Sequence, residues 1–295
     1  MKIQTMSVVV GTTARNAKCP FCVSKTTPDA NLPTDVNWRN FEKACRLAQI
    51  GGATTMLLTG KGEPTLYPDL ITEYIKVAKD YFPFIELQTN GMLIKELRKD
   101  NVLCHDENFT TPVKKSYLRQ WYALGLTTVS LSAVETGYAN KKIYGDGYPM
   151  IANTAQILRE QGFTVRLSIM MLKKYICKPK DIDRLVAFCK KYDIKQLTVR
   201  PINHPDFDKS KQAKWIDEHT LSYEEQSDIQ YQIKAKGNQV LKLAHGATVY
   251  DYEGQNLCLS NCLTTNEDSD SMRQIIFYPD GTIGYDWKYE GAVLL

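Results

Sequence analysis

Six short apolar segments alternate with amphipathic ones through the first two-thirds of this 295-residue chain, and that alternation restricts the fold more than any other feature. Residues 6–10, 54–58, 84–87, 129–131, 164–171 and 196–200 read as strands. Between them, residues 36–50 place Phe41, Ala44, Cys45 and Ala48 on one helical face, and residues 181–191 do the same with Ile182, Leu185, Val186 and Cys189. Pro68-Asp69 opens a helix over 70–81, Thr111-Pro112 opens another as N-cap and first residue, and 148–161 closes at Gly162. Strands that alternate with helices pair in parallel through right-handed crossovers. The expected class is α/β, an incomplete (β/α)6 TIM-like barrel, with an open doubly wound sheet equally consistent with the periodicity. Both architectures put chemistry on loops at the carboxyl ends of the strands.

The pattern changes after Arg200. Residues 201–214 are polar and loop-like, and 222–235 read as a helix. Residues 274–278 and 282–287 then flank Pro279-Asp280-Gly281, which is hairpin-turn chemistry. The expected organisation is a core of residues 1–205 followed by a small α+β extension, residues 206–295, with a helix and a β-hairpin. A net charge of +4 over this length does not require a nucleic-acid partner. Eight cysteines are too few for a disulfide-dense secreted scaffold. No apolar run is long enough to span a bilayer, and the N-terminus lacks the basic region and cleavage site of a signal peptide, so no membrane association is expected and the cytoplasm is the expected compartment.

The informative residues fall at the predicted strand ends. After the first strand comes Arg15-Asn16-Ala17-Lys18-Cys19-Pro20-Phe21-Cys22. Alone, a C-x2-C pair is a zinc half-site, a redox pair or a coincidence. The second strand ends in Gly60-Lys61-Gly62-Glu63-Pro64, where glycines permit close backbone approach and the carboxylate can accept from an ammonium group. The third ends in Thr89-Asn90-Gly91, a turn by composition. The fourth carries Ser130 and Ser132 on one face, and the fifth carries Arg166 and Ser168 on one face.

In this order the motifs resemble those of the radical S-adenosylmethionine (SAM) superfamily. The resemblance implies a partial TIM-barrel enzyme whose C-x3-C-x2-C loop holds a 4Fe–4S cluster, here through Cys19 and Cys22. It implies that Gly60, Gly62 and Glu63 receive the amino group of SAM's methionine, and that Thr89, Asn90, Ser130 and Ser132 line the SAM site. Arg166 and Ser168 are candidates for the SAM carboxylate or ribose. In the family, one electron from the cluster cleaves the sulfonium, and the resulting 5′-deoxyadenosyl radical abstracts a hydrogen from a small-molecule or peptide substrate. An electron donor such as flavodoxin or ferredoxin is therefore an implied partner. Cys177, after the fifth strand, is a candidate hydrogen-atom donor.

Arg15 occupies the place of the first cluster cysteine. A guanidinium offers only donors and cannot replace a thiolate. Three explanations stand: an inactivating change, a catalytically silent relative that binds SAM or a substrate without the cluster, or an unexpected ligand that completes the site. Cys258 and Cys262, with the hairpin behind them, resemble a SPASM or twitch extension, which implies an auxiliary iron–sulfur cluster. The usual cysteine after that hairpin is absent and Asp286 is nearby. Two cysteines packing as small hydrophobes is the equal alternative. A third function is a zinc site of Cys19, Cys22, Cys258 and Cys262.

Overall fold

The structure is a computed structural model that describes residues 2–25, 27, 32–94, 113–202, 211–243, 245–260 and 270–295. Six strands follow one another across a single sheet: β1 (Lys2–Val9), β2 (Thr55–Thr59), β3 (Phe84–Thr89), β4 (Leu126–Ala133), β5 (Thr164–Met171) and β6 (Gln196–Pro201). All neighbours are parallel. The order never reverses, whereas a doubly wound sheet reverses at its switch point. The core is thus the incomplete (β/α)6 TIM-like barrel, and the doubly wound alternative is excluded.

Two-residue periodicity decides which face of each strand meets the helices. Met6 and Val8, Met56 and Leu58, Ile85 and Leu87, Val129 and Leu131, Val165 and Leu167, and Leu197 and Val199 are all buried. They form one apolar surface under the helices α1 (Trp38–Ile50), α2 (Pro68–Ala78), α3 (Lys115–Leu124), α5 (Ile151–Glu160) and α6 (Pro179–Lys191). A short helix, α4 (Ala139–Tyr144), lies between α3 and α5 and was not expected from the periodicity. The opposite face carries Ser7, Glu86, Gln88, Ser130, Arg166, Ser168 and Thr198, so the barrel interior is polar. Thr111-Pro112 lies outside the described residues.

Residues beyond β6 do not form a separate layer. The helices α7 (Lys211–His219) and α8 (Tyr223–Lys236) are followed by an antiparallel set, β7 (Gly237–Lys242), β8 (Thr248–Tyr252) and β9 (Gln255–Leu259), and β9 pairs in parallel with β6. β10 (Ser271–Phe277) pairs in parallel with β1 at the other edge and forms the expected hairpin with β11 (Ile283–Gly284). Phe277 from β10 packs against Phe41 at 5.1 Å and Tyr74 at 6.4 Å, within the core under α1 and α2. The stretch read as loop, 201–214, is helical from Lys211, because Ala213 and Ile216 are buried there at helical spacing. β7 escaped the sequence reading because five of its six residues are exposed, so it has no apolar alternation to detect. No helix among the described residues is long and apolar enough to cross a membrane.

The turn between β7 and β8 reaches back to β1, where His245 Nδ1 meets Gln4 Oε1 at 3.0 Å. The amide oxygen only accepts, so the imidazole donates from Nδ1. Burial, reinforced by the charge of Arg273, lowers the His245 pKa from 6.5 to about 4. Between these values the unfolded chain binds a proton that the folded one does not, so falling pH favours unfolding. Stability is expected to decrease from pH 6.5 towards about 4, and His245→Gln is expected to flatten that decrease. Urea midpoints measured above the window and within it check this, and an unaltered pH slope in the variant would refute the assignment.

Candidate functional site

One carboxylate ties together the loops that leave β2 and β3. Glu63 is buried and caps a short 3₁₀ turn, Pro64–Leu66. Its Oε1 accepts from Thr65 N at 3.1 Å, Thr65 Oγ1 at 2.6 Å and Thr89 Oγ1 at 2.6 Å. Its Oε2 accepts from Asn90 N at 3.1 Å. Burial raises its pKa, against the opposing effect of these four donors. The backbone of Glu63 donates to Ala14 O at 2.9 Å, which brings the loop after β1 onto the same turn. A Cβ at Gly62 would lie 2.1 Å from Ala14 O and 2.7 Å from Thr12 O. Glycine is therefore required here by the approach of the chain's own backbone. Gly60 is also close-packed, with a Cβ position 3.2 Å from Gly62 O and 3.3 Å from Val10 O.

The loop after β1 carries Cys19 and Cys22 on an aromatic seat. Phe21 stands edge-on to Tyr144 at 6.0 Å and tilted against Trp215 at 6.0 Å, and Lys18 N donates to Tyr144 O at 2.9 Å. The two thiols interact directly. The hydrogen bond that Cys19 gives to Cys22 is the main reason the Cys22 pKa is lowered to about 5, helped by Ser24 and Arg15 against burial. The same hydrogen bond, then burial, drives Cys19 upward. The two thiols therefore titrate as a pair rather than as independent groups.

Arg15 is held at the edge of this pair. Its Nε donates to Thr13 O and its Nη2 to Lys61 O, both at 3.3 Å. Its Nη1 is buried without a hydrogen-bond partner. Asn16 Oδ1 accepts from Asn90 Nδ2 at 2.8 Å, and Asn16 Nδ2 is also buried without a partner. Among the described residues four buried side-chain polar atoms lack partners; the other two are Arg200 Nε, at the end of β6, and the Tyr74 hydroxyl in α2. Three of the four are thus N–H donors on segments at the barrel mouth. Arg200 and the two thiols all act electrostatically on buried Tyr144, so they surround one region.

The remaining expected residues lie deeper or elsewhere. Arg166 is engaged by Glu86 Oε2 at 2.6 Å and Gln196 Oε1 at 2.8 Å, five residues before the end of β5. Ser130 pairs in register with Arg166, and Ser132 with Ser168, on the interior face. Ser132 also accepts through its carbonyl from Tyr148 Oη at 2.7 Å. Cys177 precedes α6, half-buried against the core, with its N–H on Asp181 Oδ2 at 3.0 Å. Cys258 lies within β9 in register with Thr198, near enough to Arg166 to feel its charge. Cys262 lies outside the described residues.

The family signature described as Radical SAM superfamily matches residues 12–189, well over half of the chain. The chain belongs to the radical SAM superfamily. Its members are enzymes, and the solved structures it resembles share the fold. SuiB of Streptococcus suis bound to S-adenosylmethionine aligns with a TM-score of 0.61 at 16% identity, over 95% of this chain and 60% of that one. The enzyme anSMEcpe with bound AdoMet gives 0.62 at 12% identity, over 99% and 74%. Methylornithine synthase (PylB) gives 0.51 at 13% identity, over 91% and 74%. The chain spans about 60% of the length of SuiB. No curated protein matches it by sequence.

A radical-SAM cluster held by three thiolates does not fit the residues described. Two thiols and a guanidinium form the loop, and no group of three Cys, His, Asp or Glu side chains among the described residues could hold a metal ion. Of the expected zinc site of Cys19, Cys22, Cys258 and Cys262, the last lies outside the described residues, and the other three, two on the loop after β1 and one near the end of β9, form no metal-holding group. SAM fits better, since orphaned donors at the mouth suit a ligand rich in acceptors. Asn16, Arg200 and Tyr144 were missed in the sequence. Arg200 continues the interior alternation of Gln196 and Thr198, which is the one signal that could have found it. Gly62→Ala is expected to destabilise the protein by about 1–3 kcal/mol through overpacking, whereas Gly291→Ala, whose added methyl meets nothing within 4 Å, should have no effect. Thermal denaturation of the two variants decides it.

Proposed function

We propose that this chain is a radical-SAM scaffold that binds SAM at the carboxyl ends of β1–β6, and that with arginine at position 15 it does so without the cluster needed for hydrogen abstraction. The observation supporting this best is the side-chain set of the loop after β1: two thiols in contact with each other, beside a guanidinium anchored on Lys61 O. Glu63, fixed by Thr65, Thr89 and Asn90, places a carboxyl group where the methionine ammonium would lie, and that ammonium would favour the ionised form. Ser130, Ser132 and Ser168 offer hydroxyls on the interior face for the ribose. Arg166 is committed to Glu86 and Gln196 and acts as a strut between strands rather than as a ligand.

SuiB has been solved with its precursor peptide SuiA, and anSMEcpe with the Cp18Cys peptide. By that analogy a peptide or small molecule is the substrate class here. The expected setting is the cytoplasm, where flavodoxin or ferredoxin would serve any redox-competent form.

The second reading is a working radical-SAM enzyme whose cluster is completed by another ligand. The intact network of Gly62, Glu63, Thr89 and Asn90 favours it, because those residues follow the family's motifs in order. Anaerobic reconstitution with iron and sulfide separates the two. The Arg15→Cys variant is expected to take up about four iron and four sulfide per chain and to release 5′-deoxyadenosine from SAM, while the unmodified chain retains little iron and releases none. Full iron loading and SAM cleavage by the unmodified chain would overturn the proposal in favour of the enzyme.

A further inference from the structure

We propose that Arg15 and Asn16 form a carboxylate-binding fork, and that in this chain the fork takes the α-carboxylate of SAM. The inference rests on the reading that the site receives SAM, and it assigns to the residue in the cysteine's place a binding role of its own.

The geometry of both side chains is determined by their neighbours. Arg15 Nε and Nη2 are spent on Thr13 O and Lys61 O, so the guanidinium plane is fixed and Nη1 is the nitrogen left over. The orientation of Asn16 follows from a chain of hydrogen bonds. Asn90 Oδ1 accepts from Met92 N at 2.8 Å, so the other end of the Asn90 amide is its donor, and Asn16 must turn its oxygen towards it. That leaves Asn16 Nδ2 as a donor with nowhere to go. A buried unpaired donor costs about 1–3 kcal/mol, and one oxyanion accepting from both of these consecutive residues would relieve the two together.

Position identifies the oxyanion. Arg15 is anchored on Lys61 O, two residues from Glu63, and Asn16 is linked through Asn90 to Glu63 itself. Two orphaned N–H donors and one buried carboxylate therefore flank the same turn. Their charges complement an α-amino-acid head group, with its ammonium towards Glu63 and its carboxylate towards the fork. The fork is made of one nitrogen from each residue, Arg15 Nη1 and Asn16 Nδ2, and the guanidinium adds a positive charge to its side of it.

The test compares SAM with decarboxylated SAM, which keeps the ammonium, sulfonium and adenosyl groups, by equilibrium dialysis on the chain as purified, with no iron or sulfide added. The unmodified chain is expected to prefer SAM by at least about tenfold, the scale of a charge-assisted hydrogen-bonded contact, and Arg15→Gln to reduce that preference to about twofold or less. Equal binding of the two ligands by the unmodified chain overturns the fork, as does a full preference retained in Arg15→Gln. Absence of binding to either ligand overturns the SAM reading and the fork with it. If Arg15→Gln does not fold, the comparison of the two ligands on the unmodified chain decides the matter.

Discussion

The mouth of this barrel is organised by the desolvation of Glu63. A carboxylate removed from water must be compensated locally or it will not stay ionised. Here the compensation comes from Thr65 on its own turn and from Thr89 and Asn90 at the end of the next strand. Because those donors belong to two loops, satisfying one charge fixes the relative positions of both. The third loop joins through its backbone, where Glu63 N–H binds Ala14 O in the room left by the missing side chain at Gly62, and through Arg15 on Lys61 O and Asn16 on Asn90. The carboxylate, the glycine and the loop that carries the thiols thus form a single mechanical unit. A change in any one is felt by the others before any ligand is present.

This dependence explains which parts of the site were legible in the sequence. Gly62 and Glu63 read locally as a glycine turn before a helix, and they stand out through their position after the second strand in the ordered set of motifs. What the glycine faces is another matter. The atoms nearest its Cβ position belong to Thr12 and Ala14, some fifty positions away in the chain, and no local pattern reports such a contact. Arg166 illustrates a second limit. Alternation placed it correctly on the interior face, yet alternation is blind to depth, and its partners Glu86 and Gln196 lie on β3 and β6. These contacts tie it to two other strands.

The fold was legible to the extent that burial was one-sided. β1 to β6 and the helices over them bury one face each, which is the condition under which periodicity carries information. β7 buries almost nothing and gives no such signal, and that the strand carrying Cys258 would lie next to β6 depends on long-range pairing. The hairpin of β10 and β11 was readable from Asp280-Gly281 because turn chemistry is local. That β10 would return to pair with β1, and that Phe277 would pack on Phe41, depends on long-range pairing that local chemistry does not encode.

Arg15 is best understood through charge balance. A loop with three thiols would carry up to three negative charges within a few ångströms, and only a bound metal centre would make that state stable. With arginine in the first place the balance closes without metal. The hydrogen bond between the thiols lowers the Cys22 pKa and raises that of Cys19, Ser24 and the guanidinium also favour the Cys22 thiolate, and the guanidinium is tied to Lys61 O. The substituted loop is therefore a self-consistent arrangement rather than a cluster site with a hole in it. Its one unsatisfied demand is for an acceptor at Arg15 Nη1 and Asn16 Nδ2, and iron cannot meet that demand, because both groups are donors. Whatever occupies this corner of the barrel must bring oxygen or another lone-pair donor to it.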